Sequence, residues 1–141
     1  MKLSEIKDEQ GNLISPVLSS ETKNYLIDID GTITEDVPNE ESWRMIGCEP
    51  YEGSVEMINT WYDQGHIITF FTSRTSKHKK ITEEWLERCG YKYHNLLMNK
   101  PRGGNYHWID NHIVRATRYE GIWGDLVTKS KMVQVFPGQD G

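Results

Sequence analysis

Short apolar runs alternate with stretches of helical periodicity from residue 24 onward, and this alternation limits the fold more than any other feature. The run Asn24 to Ile29 reads as a strand. Val55, Ile58, Trp61 and Tyr62 then recur at helical spacing, and Gly65 stops that helix. Ile67 to Thr72 is a second buried strand. Ile81, Trp85, Leu86 and Cys89 mark a second helix, ended by Gly90, and Asn95 to Met98 is a third short strand. Tyr106 to Asp110 and Met132 to Phe136 read as a fourth and a fifth. Strands that alternate with helices predict βαβ units and a mainly parallel sheet. Residues 33–50, rich in acids with Pro38, Gly47 and Pro50, read as a loop able to supply a flap. Residues 1–22 read as an N-terminal arm or an edge strand interrupted by Pro16. With 141 residues, a single domain over 1–141 is expected.

Right-handed crossovers bring the carboxyl ends of such strands to one edge, where ligands of open α/β sheets collect. Asp28, Thr72 and Asp110 each stand at the end of a predicted strand, and Lys100 lies just beyond another. Asp28 and Asp30 put two carboxylates two residues apart, immediately before Gly31. Carboxylates that close repel, so they need a cation, a shared proton, or both. A hard cation with oxygen ligands, Mg²⁺ above all, satisfies that need and implies phosphate chemistry.

The ordered set Asp28-Ile29-Asp30-Gly31-Thr32, Thr72-Ser73-Arg74, Lys100 and Asp110 resembles the motifs of the haloacid dehalogenase (HAD) superfamily over roughly residues 24–115. The resemblance implies a Rossmann-like three-layer α/β/α sandwich and a Mg²⁺-dependent phosphatase. It implies Asp28 as the nucleophile that becomes an aspartyl-phosphate, and Asp30 as the acid and then the base. Asp28, Asp30 (through its backbone carbonyl) and Asp110 would hold the metal. Thr72 would hydrogen-bond a phosphoryl oxygen, and Lys100 would neutralise charge on Asp28 and the phosphoryl group. Gly31, Thr32, Ser73 and Arg74 would surround the substrate phosphate, although Arg74 is equally suited to pair with an acid. Two positions depart from the pattern: Asn111 stands where many relatives carry a second carboxylate, and Ser73 where they often carry Gly. Neither the roughly 40 residues between Asp30 and Thr72 nor the 28 between Thr72 and Lys100 leave room for a folded cap. A capless enzyme is therefore expected, with its site open or closed by a neighbouring subunit in a homo-oligomer.

A small phosphorylated metabolite such as a sugar phosphate is the first substrate expected. Thr72 to Arg74, Thr82 to Leu86 and Gly90-Tyr91 are also similar, in part, to the phosphatase domain of polynucleotide kinase/phosphatases. That makes a polynucleotide 3′-phosphatase the second reading, and a non-catalytic phosphate-binding protein is a third. Net charge −5 disfavours a broad nucleic-acid surface. Lys77-His78-Lys79-Lys80 is a short basic run that reads as a solvated helix start. No apolar run has the length to span a membrane and Met1 to Glu5 show no signal-peptide core, so a cytoplasmic setting without membrane partners is expected. Cys48 and Cys89 lack metal spacing and read as free thiols, and the five histidines form no zinc pattern.

Overall fold

The computed structural model describes residues 6–13 and 17–129. The chain divides into two compact units, residues 1–100 and 101–141, and each is described by itself.

The first unit is built on three parallel strands, β1 (Asn24–Ile27), β2 (Ile67–Phe71) and β3 (Asn95–Leu97), hydrogen-bonded in that order. The register pairs Ile27 with Phe70 and Phe71 with Leu97, so all three strands end close to one line. Helix α1 (Ser54–Asp63) links β1 to β2, and α2 (Lys79–Cys89) links β2 to β3. This is the expected α/β architecture with a parallel sheet, compatible with a Rossmann-like fold.

β2 is central, and its sequence fits that place. Ile67, Ile68, Thr69 and Phe70 are all buried, as a strand covered on both faces requires. Phe70 meets the edges of Tyr91 and Tyr93, each with ring centroids 5.5 Å away. β1 is an edge and leaves Leu26 half exposed, while Tyr25 stacks on Trp61 of α1 at 4.2 Å. α2 buries Thr82, Trp85 and Leu86 on one face. It stops at Gly90, whose φ of +86° suits a residue without a Cβ. There the Gly90 N–H donates to Glu87 and the Tyr91 N–H to Leu86, which satisfies two of the last orphan carbonyls.

Two expectations need correction. Residues 33–50 are not a bare loop, because Asn39–Gly47 forms a 3₁₀ segment after Pro38. Ile33, Val37, Met45 and Cys48 are buried, and the Trp85 indole donates to the Cys48 carbonyl at 2.8 Å. Apolar residues scattered without strand or helix periodicity anchor this segment, so periodicity could not reveal it. Residues 106–110 form no strand in the second unit. Gly103, Gly104 and Asn105 turn the backbone to positive φ just before them, and Tyr106, Trp108 and Ile109 are exposed. An alternating pattern makes a strand only where a ladder partner takes its N–H and C=O groups.

Elsewhere in the second unit, α3 (Trp123–Lys129) buries Trp123 and Leu126. The expected strand at 132–136 lies outside the described residues. At the N-terminus, Lys7 and Leu13 form an isolated antiparallel bridge around a turn that Asp8 braces, while residues 14–16 of the expected arm also lie outside the description. Among the described residues, no helix is long and apolar enough to cross a membrane.

Candidate active site

The carboxyl ends of β1 and β2 bring together eight of the residues singled out in sequence. Asp28 directly follows β1 and is 35% exposed at its side chain. One of its oxygens lies 3.1 Å from the Lys100 ammonium, and the other accepts from the Thr32 hydroxyl at 3.3 Å. Lys100 reaches this position because the segment after β3 is stitched to the end of β2. The Lys100 N–H donates to the Thr72 carbonyl and the Asn99 N–H to the Arg74 carbonyl, each at 2.8 Å. Asn99 takes φ +63°, a left-handed conformation that Asn tolerates, and its side chain donates to Ser76 Oγ at 2.6 Å. The Lys100 ammonium also stands 6.0 Å from the Phe71 ring centroid.

Asp30 sits in a different environment. Both its oxygens accept from Arg74, Oδ2 from Nε and Oδ1 from the second terminal nitrogen, each at 2.9 Å. This is a two-pronged pair between a planar guanidinium and a planar carboxylate. Arg74 is 1% exposed at its side chain and Asp30 16%. Of the two roles open to Arg74, pairing with an acid is the one seen here. Thr72 is fully buried, and its hydroxyl accepts the Arg74 N–H at 3.2 Å. Ser73 lies between them and is partly exposed.

The turn joining the two aspartates is fixed by backbone bonds. Ile29 accepts from the N–H groups of Thr32 and Ile33, and the Gly31 N–H donates to Thr34 at 2.8 Å. Gly31 has φ +79°. A Cβ there would meet only Asp36 Cβ at 4.0 Å, so backbone conformation rather than space calls for glycine. The Thr34 hydroxyl, donating to the Glu49 carbonyl at 2.7 Å, ties the turn to the chain after the 3₁₀ segment.

Asp110 belongs to the second unit and is exposed. It accepts from the Trp108 indole and from the His112 N–H, both at 3.1 Å. The indole bond, then the backbone bond, holds its carboxyl below the ordinary value. The bond to His112 makes a local turn in which Asn111 is the middle residue.

Among the described residues, no three His, Cys, Asp or Glu side chains gather as a metal-holding cluster. The donors at the end of β1 are hard oxygens, the Asp28 carboxylate and the Asp30 carbonyl. That set fits a cation such as Mg²⁺, which takes one or two carboxylates and fills its remaining positions with water and substrate oxygens. Cys48 and Cys89 are free thiols that burial pushes above the ordinary value, which makes them poor nucleophiles. They line a separate cleft of about 470 Å³ together with Gly47, Glu49, Pro50 and Arg88, and no residue of the candidate site lines it.

The family model described as PITM 1-3, LNS2 domain, matches residues 25–112, from β1 to just past the Asp110 turn. The chain belongs to the LNS2 domain family. LNS2 domains are of lipin/Smp2 type with a HAD-like fold and are associated with phosphatase-type activity. A crystal structure described as an MCSG target from Vibrio cholerae is similar at a TM-score of 0.50 and 19% identity. The likeness covers 79% of this chain and 98% of that one, and it supports the fold alone. No curated protein matches this chain.

Sequence reading missed two residues that build this LNS2 site. Asn99 was visible only as a neighbour of Lys100, although Asn before Lys100-Pro101 is a sign of a left-handed turn. Thr82 is a buried helix threonine that donates to the His78 carbonyl at 2.7 Å and accepts from Arg74 at 3.0 Å. No pattern in a single sequence marks that role.

Proposed function

We propose that this LNS2 domain is a capless, HAD-type, Mg²⁺-dependent phosphomonoester hydrolase that works through an aspartyl-phosphate on Asp28. The observation that carries the reading is the half-exposed Asp28 carboxylate at the end of β1, held between the Lys100 ammonium and the Thr32 hydroxyl. Two cation-facing carboxylates in one strand-end turn are more than a phosphate-binding surface requires.

An Asp28 oxygen attacks phosphorus and the bond to the substrate's leaving oxygen breaks. Asp30, protonated from solvent on a lone pair that the Arg74 fork leaves free, gives that proton to the leaving oxygen. A water then attacks the aspartyl-phosphate while Asp30 takes its proton, the bond to Asp28 breaks and phosphate departs. Lys100 neutralises Asp28 so that an anionic group can approach, and the fully buried Thr72 holds the Arg74 N–H with its hydroxyl. Asp28 and the Asp30 carbonyl would hold Mg²⁺, which when bound would offset charge on the transferring group. A small phosphorylated metabolite, a sugar phosphate first, fits a chain of net charge −5. A cytoplasmic setting and closure of the site by a second copy remain part of this proposal.

Hydrolysis of an aryl phosphate with and without Mg²⁺ tests it, using wild type, Asp28→Asn and Asp30→Asn. Metal-dependent turnover, abolished in Asp28→Asn and cut at least about 10²-fold in Asp30→Asn, is the expected result. Turnover that survives in Asp28→Asn sinks the reading. Mg²⁺-dependent binding of a phosphate analogue without turnover would put a phosphate-binding protein in its place.

A further inference from the structure

Arg74 is the most heavily tied charged residue of the site. Its Nε and one terminal nitrogen grip the two Asp30 oxygens, and its other terminal nitrogen donates to Thr82 Oγ1. Thr82 is fully buried and donates in turn to the His78 carbonyl, one turn back in the chain. The Arg74 backbone is fastened as well, its N–H on Thr72 and its C=O on Asn99. With 1% of its side chain exposed, Arg74 offers no surface to a substrate phosphate.

We propose that Arg74 is a positioning residue that fixes the plane and position of the Asp30 carboxylate, and that Thr82 fixes Arg74. The inference rests on the phosphatase reading, in which Asp30 acts at the leaving oxygen, and goes beyond it by assigning α2 a part in the chemistry. An aspartate alone turns about two side-chain torsions. Its transfer of a proton needs hydrogen-bond reach to one particular oxygen, and a displacement of about 1 Å costs about 10²-fold in rate. A planar fork holds both carboxylate oxygens at once, whereas an ammonium is a point charge that holds one. The carboxylate keeps lone pairs beyond the two that the fork uses, so gripping it does not block it.

The test is a series of aryl phosphates whose leaving phenols run from strongly to weakly acidic, with Mg²⁺, on wild type, Arg74→Met, Arg74→Lys, Thr82→Val and Thr82→Ser. A good leaving group departs without a proton, so in the phosphoryl-transfer step, which kcat/KM reports, misplacing Asp30 harms only the poor ones. Its later duty as base in hydrolysis of the aspartyl-phosphate falls on every substrate alike and is read in kcat. Expected for Arg74→Met is a kcat/KM loss of about 10²-fold on the weakest phenol and within about threefold on the strongest. Arg74→Lys should recover part of the loss. Thr82→Val should show the same slope at smaller amplitude, and Thr82→Ser should match wild type. An equal loss of kcat/KM across the series would mean a merely structural role and overturn the proposal. So would a raised KM with kcat intact, the mark of a substrate ligand. If Arg74→Met does not fold, Thr82→Val decides by the same criteria. Absence of wild-type turnover on every member would remove the phosphatase reading and this inference with it, an outcome distinct from turnover with a flat response.

Discussion

Asp28 and Asp30 are two residues apart, yet their surroundings differ in kind. The sequence left open how their mutual repulsion is relieved. In the structure each has its own side-chain cation, Lys100 for Asp28 and Arg74 for Asp30. The burial differs, with 35% of the Asp28 side chain exposed against 16% for Asp30, whose partner is sealed. Removing a buried partner strands the other charge and costs about 3–5 kcal/mol, whereas an accessible pair contributes about 0–1 kcal/mol. Asp30→Ala should therefore destabilise the fold by about 3–5 kcal/mol in urea unfolding, and Asp28→Ala by about 1 kcal/mol or less. Equal losses would mean that Arg74 does not depend on Asp30. Asp28, Thr72 and Lys100 were legible because each sits at or just past the end of an apolar run. The partner of Arg74 was not, since 44 residues separate it from Asp30 and a single sequence does not display such a pairing.

At the scale of elements, β2 organises the site, and two histidines brace it. The Lys23 N–H donates to His66 Nδ1 at 3.1 Å, and the Ile68 N–H donates to His94 Nδ1 at 3.0 Å. A ring nitrogen that accepts from a backbone N–H must be unprotonated. Burial, the first cause in each case, also holds both imidazoles below the ordinary 6.5. The sign follows from the depressed values: the unfolded chain binds more protons below pH 6.5, so stability present above that pH is lost as pH falls. The unfolding midpoint should fall from pH 7 to pH 5, and His94→Gln should flatten the slope. A midpoint that rises over this interval would contradict the neutral assignment. Truncating Trp85, fully buried on α2 and bonded to the Cys48 carbonyl, should cost about 3–5 kcal/mol and loosen the 3₁₀ segment, read as faster amide exchange at 39–47. α1, α2 and β2 were legible because apolar spacing at period 3.6, or a continuous buried run, is a local property. The 3₁₀ segment and the unpaired 106–110 stretch were not, because the first is held by tertiary anchors and the second lacks a ladder partner.

At the scale of the whole molecule, charge decides between substrates where the site alone does not. In the proposed mechanism the site residues meet only a phosphoryl group, which a sugar phosphate and a 3′-phosphorylated strand share. The strand differs in carrying further phosphates, each of which needs a cation outside the site. The chain offers 16 Lys and Arg against 21 Asp and Glu, and Lys100 and Arg74 are already engaged with aspartates. Lys77, Lys79 and Lys80, exposed at the start of α2, are the cations nearest in sequence to Arg74 that could meet a strand. Binding through Z such contacts releases counterions, so affinity falls with salt at a logarithmic slope of about −0.7Z for single strands. A sugar phosphate makes one anionic contact, within the site. Its kcat/KM should change less than about threefold between 50 and 200 mM salt, and it should exceed that of a 3′-phosphorylated oligonucleotide at every point. The reverse order, with oligonucleotide turnover falling by tenfold or more over that range and flattened in Lys77→Ala/Lys80→Ala, would give the site to a polynucleotide substrate. The proposed roles of Asp28 and Asp30 would be the same in either case, because both substrates would present the same phosphoryl group to Asp28.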